Sequence, residues 1–334
     1  MQARAMKRAE PKTWAKVARW AVALSVTGIS CWLLVQDVDW QNVAHAFTNA
    51  NYRWVVVGAS AIIATFLTRT RRWQALLWQS TPRLQPTMTA LLIGQVVNLA
   101  LPMRSGDVVR AAWIGPERRT GTVEALGSIA IEKVWDLLAL LVCGLTLLIL
   151  MPLPEWFARS TWGTALTLLL ATGLILATLH WQVPLFRLAG QVLARLPAGW
   201  DQAILPRLQR LANGLEAIRQ PDVSVRAALW TGLTWGLGAL ANFAVLAAFD
   251  IPSVVAALFL LAALMVSSAV PTTPGKFGLF EAICVMCLTT FFQVSSDPAL
   301  AAGLVLHAVV MVPPLITTAI LTLWPGHRAR HASD

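Results

Sequence analysis

Charge is what this sequence has least of. Asp, Glu, Lys and Arg make up 13% of its 334 residues against 57% hydrophobic residues, and the mean hydropathy is +0.64. Soluble domains carry about 25% charged residues, so this composition excludes an ordinary soluble fold of this length and leaves a multi-pass membrane protein. Cysteine is equally sparse. Cys31, Cys143, Cys284 and Cys287 all fall inside apolar runs, and no second Cys or His pair joins Cys284 and Cys287 to complete a metal set. They read as core packing. There is one tyrosine against 16 tryptophans; most of these, among them Trp20, Trp54, Trp113, Trp162 and Trp324, stand near the ends of apolar runs, where indole rings anchor at the interface. A phosphate-binding Gly-x-x-x-x-Gly-Lys-Ser/Thr loop is also missing, since Gly275-Lys276 is followed by Phe277. Neither a His-rich phosphatase pattern nor a Ser or Cys nucleophile with a partnered His is visible. The expectation is therefore a protein that is not an enzyme, with no catalytic residue, metal or cofactor.

Apolar runs long enough to cross a bilayer, at about 1.5 Å per helical residue for a core about 30 Å thick, occur near Trp20 to Val35, Trp54 to Thr68, Glu124 to Leu150, Trp162 to Val183, Ala227 to Phe249 and Ala299 to Trp324. Two further blocks, Thr87 to Trp113 and Pro252 to Phe292, are interrupted and read as hairpins that enter the membrane and turn back. The expected fold is an all-α polytopic membrane protein, with about six full transmembrane helices plus two oppositely facing re-entrant hairpins, the arrangement of an inverted repeat. The expected organisation is a basic N-terminus over 1–19, a transmembrane domain over 20–325 and a tail over 326–334. The first apolar run lacks a small-residue cleavage pattern and reads as a retained signal anchor.

The net charge of +10 serves topology and anionic headgroups, not nucleic acid. Basic residues collect at the N-terminus, in a second loop expected to hold Arg69, Arg71, Arg72 and Arg83, at Arg118 and Arg119, in the long central loop between Arg187 and Arg226, and at Arg328 and Arg330. Only Arg53 and Arg159 fall on the opposite side. This bias places both termini and the 184–226 loop in the cytoplasm. Within that loop Leu205, Leu208, Leu211, Leu215 and Ile218 recur at helical spacing. They predict an amphipathic helix on the membrane surface, read as a scaffold strut in preference to a lipid-delivery element. His307, inside the last run, reads as a hydrogen-bonded interior histidine in preference to a proton relay.

The remaining charges are expensive, because an ionised group at the bilayer centre costs about 2.5 to 3.5 kcal/mol even on the mildest scale. They are Arg104, Asp107, Arg110, Glu132, Lys133, Asp136, Lys276 and Glu281, balanced in sign. Pairing would let them share a low-dielectric interior; the alternative reading is that they merely pin helices together. Several lie at breaks. Pro102 and Pro271 cannot donate a helical hydrogen bond, Pro274 stiffens the second break, and Gly106, Gly275 and Gly278 tolerate backbone a helix forbids. Such backbone is tolerable in a membrane only where it is buried in protein or lines a cavity. Paired interrupted segments in the two halves of a chain point to a transporter-type site, and helices restarting after them would aim free N–H groups at an anion.

The stretch Asn98-Leu-Ala-Leu-Pro-Met-Arg-Ser-Gly-Asp-Val-Val-Arg110, then Ser128-Ile-Ala-Ile-Glu-Lys-Val-Trp-Asp136, then Pro271-Thr-Thr-Pro-Gly-Lys-Phe-Gly-Leu-Phe-Glu281, resembles the transmembrane domain of the lysylphosphatidylglycerol synthase family, also called flippase-like membrane proteins. The resemblance covers nearly the whole chain. It implies a membrane domain with re-entrant helices that moves lipids with modified headgroups between leaflets, without the soluble synthase domain of fused members. The family's Pro-x-Arg-x-Gly-acid element falls on Pro102, Arg104, Gly106 and Asp107, followed by Arg110. Its Glu-Arg-x-x-Asp element falls on Glu132, Lys133 and Asp136, where Lys133 replaces an arginine and loses two-point recognition. In the last element Lys276 replaces a glycine. The resemblance implies membrane lipids as partners, with a phospholipid, aminoacylated lipid, glycolipid or hopanoid headgroup, and a separate lipid-modifying enzyme.

The resulting expectation is a lipid flippase or lipid-transport protein of a bacterial cytoplasmic (inner) membrane, without ATP hydrolysis. Arg104, Arg110 and Lys276 would attract a phosphate, while Asp107, Glu132, Asp136 and Glu281 would hold those cations or contact an amine. A small-anion transporter or non-catalytic membrane subunit of a lipid-modifying system is the first alternative; a membrane-embedded lipid enzyme is the second.

Overall fold

The computed structural model describes residues 24–25, 27–30, 32, 38–79, 82–101, 105–114, 121–152, 155–181, 187, 191, 200–268 and 274–323. Pro102, Arg104 and Pro271 lie outside these residues, as do most of the first expected crossing, Trp20 to Val35, and both basic termini. The helices, in chain order, are α1 (Trp40–Asn49), α2 (Tyr52–Leu76), α3 (Leu84–Ala100), α4 (Gly106–Ile114), α5 (Thr122–Leu150), α6 (Glu155–His180), α7 (Trp200–Leu215), α8 (Pro221–Ala248), α9 (Val254–Ser267), α10 (Leu279–Phe292) and α11 (Ser296–Leu323). Short 3-10 turns occupy Glu216–Arg219 and Pro274–Lys276.

Local chemistry sets many of the boundaries. Asp39 caps α1 by accepting from the Gln41 N–H, and Ser253 caps α9 by accepting from the Ala256 N–H. Pro221 opens α8, where its missing N–H costs nothing. Met151, the residue before Pro152, is extended and ends α5, as the proline ring requires.

α5, α6, α8 and α11 are long and apolar enough to cross a bilayer, and α1 with α2, bent by 81° at the break between them, reach that length and hydropathy as a pair. The stretch Pro274–Phe292 also has the length. Within it, however, Gly275 and Gly278 take φ of 75° and 81°, a left-handed backbone that interrupts the helix and leaves the 14 residues of α10. Fourteen residues rise only about 20 Å, short of the hydrocarbon core. α9 is equally short, and Phe259 near its start meets Phe291 and Phe292 at the end of α10 with ring centroids 4.8 and 6.0 Å apart. The two legs are therefore antiparallel, with the glycine break at the tip.

The first hairpin is built likewise from α3 and the 9-residue α4. The legs touch at the backbone: a Cβ on Gly106 would lie 1.8 Å from the Gly94 carbonyl oxygen. Three spanning helices, α5, α6 and α8, separate the hairpins, so by parity they enter from opposite sides. The Pro274–Lys276 turn packs against α3, which brings the second break onto the first hairpin.

Helices in lipid gain nothing from hydrophobic exclusion, so small residues and hydrogen bonds make the contacts. Gly58 of α2 lies against Ala241, Ala244 and Val245 of α8, and the Thr68 and Thr234 hydroxyls are 2.8 Å apart across the same pair. The largest apolar core joins Val43, Leu147, Leu246, Phe259, Leu288 and Leu306 from α1, α5, α8, α9, α10 and α11.

One expectation is corrected here. Arg69, Arg71 and Arg72 are not in a loop: α2 continues through them to Leu76, and Arg72 is buried. The helix need not stop at the first arginine, because interior carboxylates meet Arg72 within it. The amphipathic helix expected over 205–218 forms as α7 up to Leu215, with Ile218 in the 3-10 turn that follows, and it packs on α5. A Cβ on Gly214 would stand 2.2 Å from the Glu124 carbonyl oxygen, and Leu215 is buried. That is the strut reading.

Candidate functional site

Six charged side chains from α2, α4 and α5 form one network. Arg72 comes from late in α2, Asp107 and Arg110 from the short returning leg α4, and Glu132, Lys133 and Asp136 from α5. Glu132 sits about 15 Å along α5 from Thr122 by helical rise, far from the helix ends. The three α5 residues and α4 can meet because α4 packs on α5, and the Gly94/Gly106 approach holds α4 in place.

Glu132 is the centre. Its Oε1 lies 3.2 Å from Arg72 Nη2, and its two oxygens accept from Arg110 Nη1 and Nη2 at 3.0 and 3.2 Å. Such a parallel two-point grip is the strong form of arginine–carboxylate pairing. Arg72 Nη1 also donates to Asp136 Oδ1 at 2.6 Å and to Thr231 Oγ1 at 3.3 Å. Arg110 Nη2 lies 3.0 Å from Asp107 Oδ1, whose second oxygen lies 3.3 Å from Lys133 Nζ. The Arg110 guanidinium is stacked 4.9 Å over Trp73, and the Trp73 N–H donates to Ser128 Oγ at 3.1 Å. Arg69 donates to Gln95 Oε1 at 3.2 Å, tying α2 to the first hairpin.

Exposure divides this network sharply. The Arg72 and Glu132 side chains are each 1% exposed and that of Arg110 4%, whereas Asp107 is 23% and Lys133 44% exposed. The inner members are locked to one another. The Asp107–Lys133 pair is its most exposed end.

Glu281 belongs elsewhere. Its Oε2 accepts from the Gly278 N–H at 2.8 Å, and its Oε1 lies 2.5 Å from His307 Nδ1. His307 Nε2 lies 2.8 Å from the Gly275 carbonyl oxygen. A carbonyl only accepts, so Nε2 carries a proton, and a single further proton is shared between Nδ1 and the carboxylate. The imidazole stacks on Phe280 with centroids 4.4 Å apart. His307 thus fastens both sides of the second break to α11, the hydrogen-bonded role expected of it. Lys276, half-buried with φ of 57°, sits in the same break.

Of the eight charges singled out in the sequence, Asp107, Arg110, Glu132, Lys133 and Asp136 are brought together, Glu281 pairs with His307 at the other hairpin tip, in the break that also holds Lys276, and Arg104 lies outside the described residues. Arg72 is the member that sequence reasoning missed. The backbone N–H groups expected to stay free for an anion are occupied at two positions: that of Gly106 donates to Asn98 Oδ1 at 2.8 Å and that of Gly278 to Glu281. A helix start inside a membrane is costly unless capped, and these side chains cap it. Among the described residues no cluster of His, Cys, Asp and Glu could hold a metal ion.

No match is found among curated proteins. The family model of the lysylphosphatidylglycerol synthase TM region matches residues 20–317, which includes both hairpins and every residue of the two centres. A buried arginine–carboxylate network set between a broken hairpin and a spanning helix, on a wholly helical membrane scaffold, is thus the interior of a protein that belongs to the lysylphosphatidylglycerol synthase TM region family.

Proposed function

We propose that this protein is a lipid flippase: it carries a lipid with a polar headgroup between leaflets of a bacterial cytoplasmic membrane, with both termini cytoplasmic and no chemistry done on the lipid. The observation that carries the reading is the exposed Asp107–Lys133 pair at the edge of an otherwise sealed network. An accessible charged pair this far along a spanning helix is too costly to keep without use. Lys133 offers a cation to a phosphate and Asp107 a carboxylate to a headgroup amine. Arg110, Glu132, Arg72 and Asp136 then hold that pair in position, a scaffold role in place of direct contact. Arg104 and Lys276 remain candidates for the phosphate on sequence grounds. Family membership supports a role in lipid modification or transport.

The experiment is lipid movement in vesicles. Purified protein in liposomes should expose a fluorescent phosphatidylglycerol from the inner leaflet to an external quencher without ATP. Lys133→Ala should slow this about tenfold, the factor that about 1.4 kcal/mol gives, while Lys133→Arg retains most of it. If the parent moves neither phosphatidylglycerol nor phosphatidylethanolamine nor an aminoacylated lipid, with or without a proton or sodium gradient, the reading is wrong and small-anion transport or a subunit role replaces it.

A further inference from the structure

α2 ends and α8 begins on the same side of the membrane, and between these two ends lies an open hollow of about 480 Å3. Arg71, Gln74 and Ala75 of α2, Pro82 of the loop that follows, and Arg226 and Trp230 of α8 border it. Helix length sets its depth. α8 has 28 residues and rises about 42 Å, about 12 Å more than the hydrocarbon core. Arg226 lies about 7.5 Å along the axis from Pro221, and Arg71 about as far from Leu76. Both arginines therefore stand where headgroups meet hydrocarbon, with the Trp230 indole beside them at the level such rings prefer.

The hollow is positive and reachable, since Arg71 and Arg226 are both exposed. Asp222 holds one edge of Arg226: Nη2 donates to its Oδ2 at 2.5 Å and Nε to its carbonyl oxygen at 3.2 Å. Nη1 is left without an acceptor among the described residues. Arg71 has no carboxylate partner there; its Nη1 donates to Gln74 Oε1 at 3.4 Å, and the Gln74 amide is itself fixed by donating to the Pro82 carbonyl. Two guanidiniums against one carboxylate leave one positive charge. The unused N–H groups are of the kind that grip phosphate oxygens. Next to these residues in the chain, buried Arg72 donates to Thr231 at 3.3 Å, which ties α2 to α8 and keeps the two arginines on a fixed frame.

A soluble anion would need only the arginines, but the surroundings add an apolar track. Leu229 and Leu233 follow Arg226 on the same face of α8, toward the membrane interior, and both are exposed. We propose that this hollow binds the phosphate of an anionic membrane phospholipid, one of whose acyl chains runs along α8 past Leu229 and Leu233. The surplus positive charge matches the single negative charge of phosphatidylglycerol, whereas a choline headgroup would bring a second cation to a hollow already positive. The site lies on α2 and α8, apart from the Asp107–Lys133 pair on α4 and α5. It goes beyond the transport reading and does not rest on it.

The test uses the full-length protein in phosphatidylcholine vesicles containing a trace of phosphatidylglycerol with a diazirine next to the ester of one acyl chain. After illumination, adducts should concentrate on Leu229 and Trp230. Arg71→Gln with Arg226→Gln should lower them about tenfold, the factor that about 1.4 kcal/mol of lost binding gives. Arg53→Gln with Arg159→Gln, at two other exposed arginines, should leave them unchanged. Salt at about 1 M, where the Debye length is about 3 Å, should lower labelling of the parent protein, an arm that needs no variant to fold. A phosphatidylcholine probe carrying the same diazirine should label these residues several-fold less. Adducts untouched by the paired Arg→Gln changes and by salt would overturn the site, and equal labelling by the two probes would overturn recognition of the anion. Excess free glycerophosphoglycerol or inorganic phosphate should not compete; if either displaces the probe, the hollow is a soluble-anion site and the lipid assignment falls. Lipid movement is measured in the same vesicles, and labelling of the hollow without movement would sustain this site while removing the transport reading.

Discussion

Arg72 and Arg110 arrive from different helices and share one carboxylate, with Glu132 Oε1 lying 3.2 Å from Nη2 of each. Two like charges held this close in a poor dielectric depend on that carboxylate for their coexistence. Its loss should therefore be disproportionate. Glu132→Ala should cost about 3–5 kcal/mol, the range for orphaning a buried ion. Glu132→Ala combined with Arg110→Met should cost less than Glu132→Ala alone. Thermal unfolding in detergent measures both, and a double variant as unstable as the sum of the singles would rule out this dependence.

The exposed end of the network should behave in the opposite way. Lys133→Ala removes a half-exposed partner of Asp107, for which stability changes stay within about 1 kcal/mol. Its effect should appear in lipid movement and not in melting temperature. A large fall in stability would mean that Lys133 is a structural member like Arg72.

His307→Ala strips the Gly275 carbonyl and the Glu281 carboxylate of a common partner. The expected loss is about 1–3 kcal/mol or more for buried polar groups left unpaired. Phe280 loses its stacking partner as well. Hydrogen exchange across Leu279–Phe292 should rise more than across α2 if the second break is what His307 holds.

Gly106→Ala should be far more damaging than Gly163→Ala. The first methyl would lie 1.8 Å from the Gly94 oxygen, whereas the second meets nothing within 4 Å. Overpacking of that kind costs about 1–3 kcal/mol or more, against a small gain in helix propensity at Gly163. Comparable melting temperatures for the two variants would show that the hairpin legs are looser than the contact implies.

Topology offers a fifth check. The Asp39 N–H and the Asn42 side-chain amide both donate to Asp297, each at 3.1 Å, so the starts of α1 and α11 share one side of the membrane. The charge bias leads to the expectation that this side is external. Tags at Asp39 and Asp297 should both report outside, and a tag in α7 should report cytoplasmic; a split result between Asp39 and Asp297 would contradict the hairpin parity.

What was legible in the sequence follows from what breaks a pattern. Pro102, Gly106, Pro274 and Gly275 interrupt apolar runs, and Asp107, Arg110, Glu132 and Asp136 stand out in apolar surroundings, so the hairpins and most of the network were visible. Arg72 was hidden by its neighbours. Next to Arg69 and Arg71 it looks like one more cytoplasmic cation, and nothing local distinguishes an arginine at the end of a span from one just beyond it. The one clue was that Trp73, Ala75, Leu76 and Leu77 continue the apolar pattern past Arg72. Glu281 and His307 each stood out, but their pairing depends on how α10 lies on α11, which the spacing of either residue does not encode.

The equal number of cations and carboxylates among Arg72, Asp107, Arg110, Glu132, Lys133 and Asp136 has an electrical consequence. Each elementary charge moved across a membrane potential gains or loses about 2.3 kcal/mol per 100 mV. A six-member set that sums to zero, moved as one body, moves at no such cost. The resting voltage of the cell then exerts no net pull on these six side chains moved together, so in the transport reading proposed above they add nothing to a current carried by the cargo.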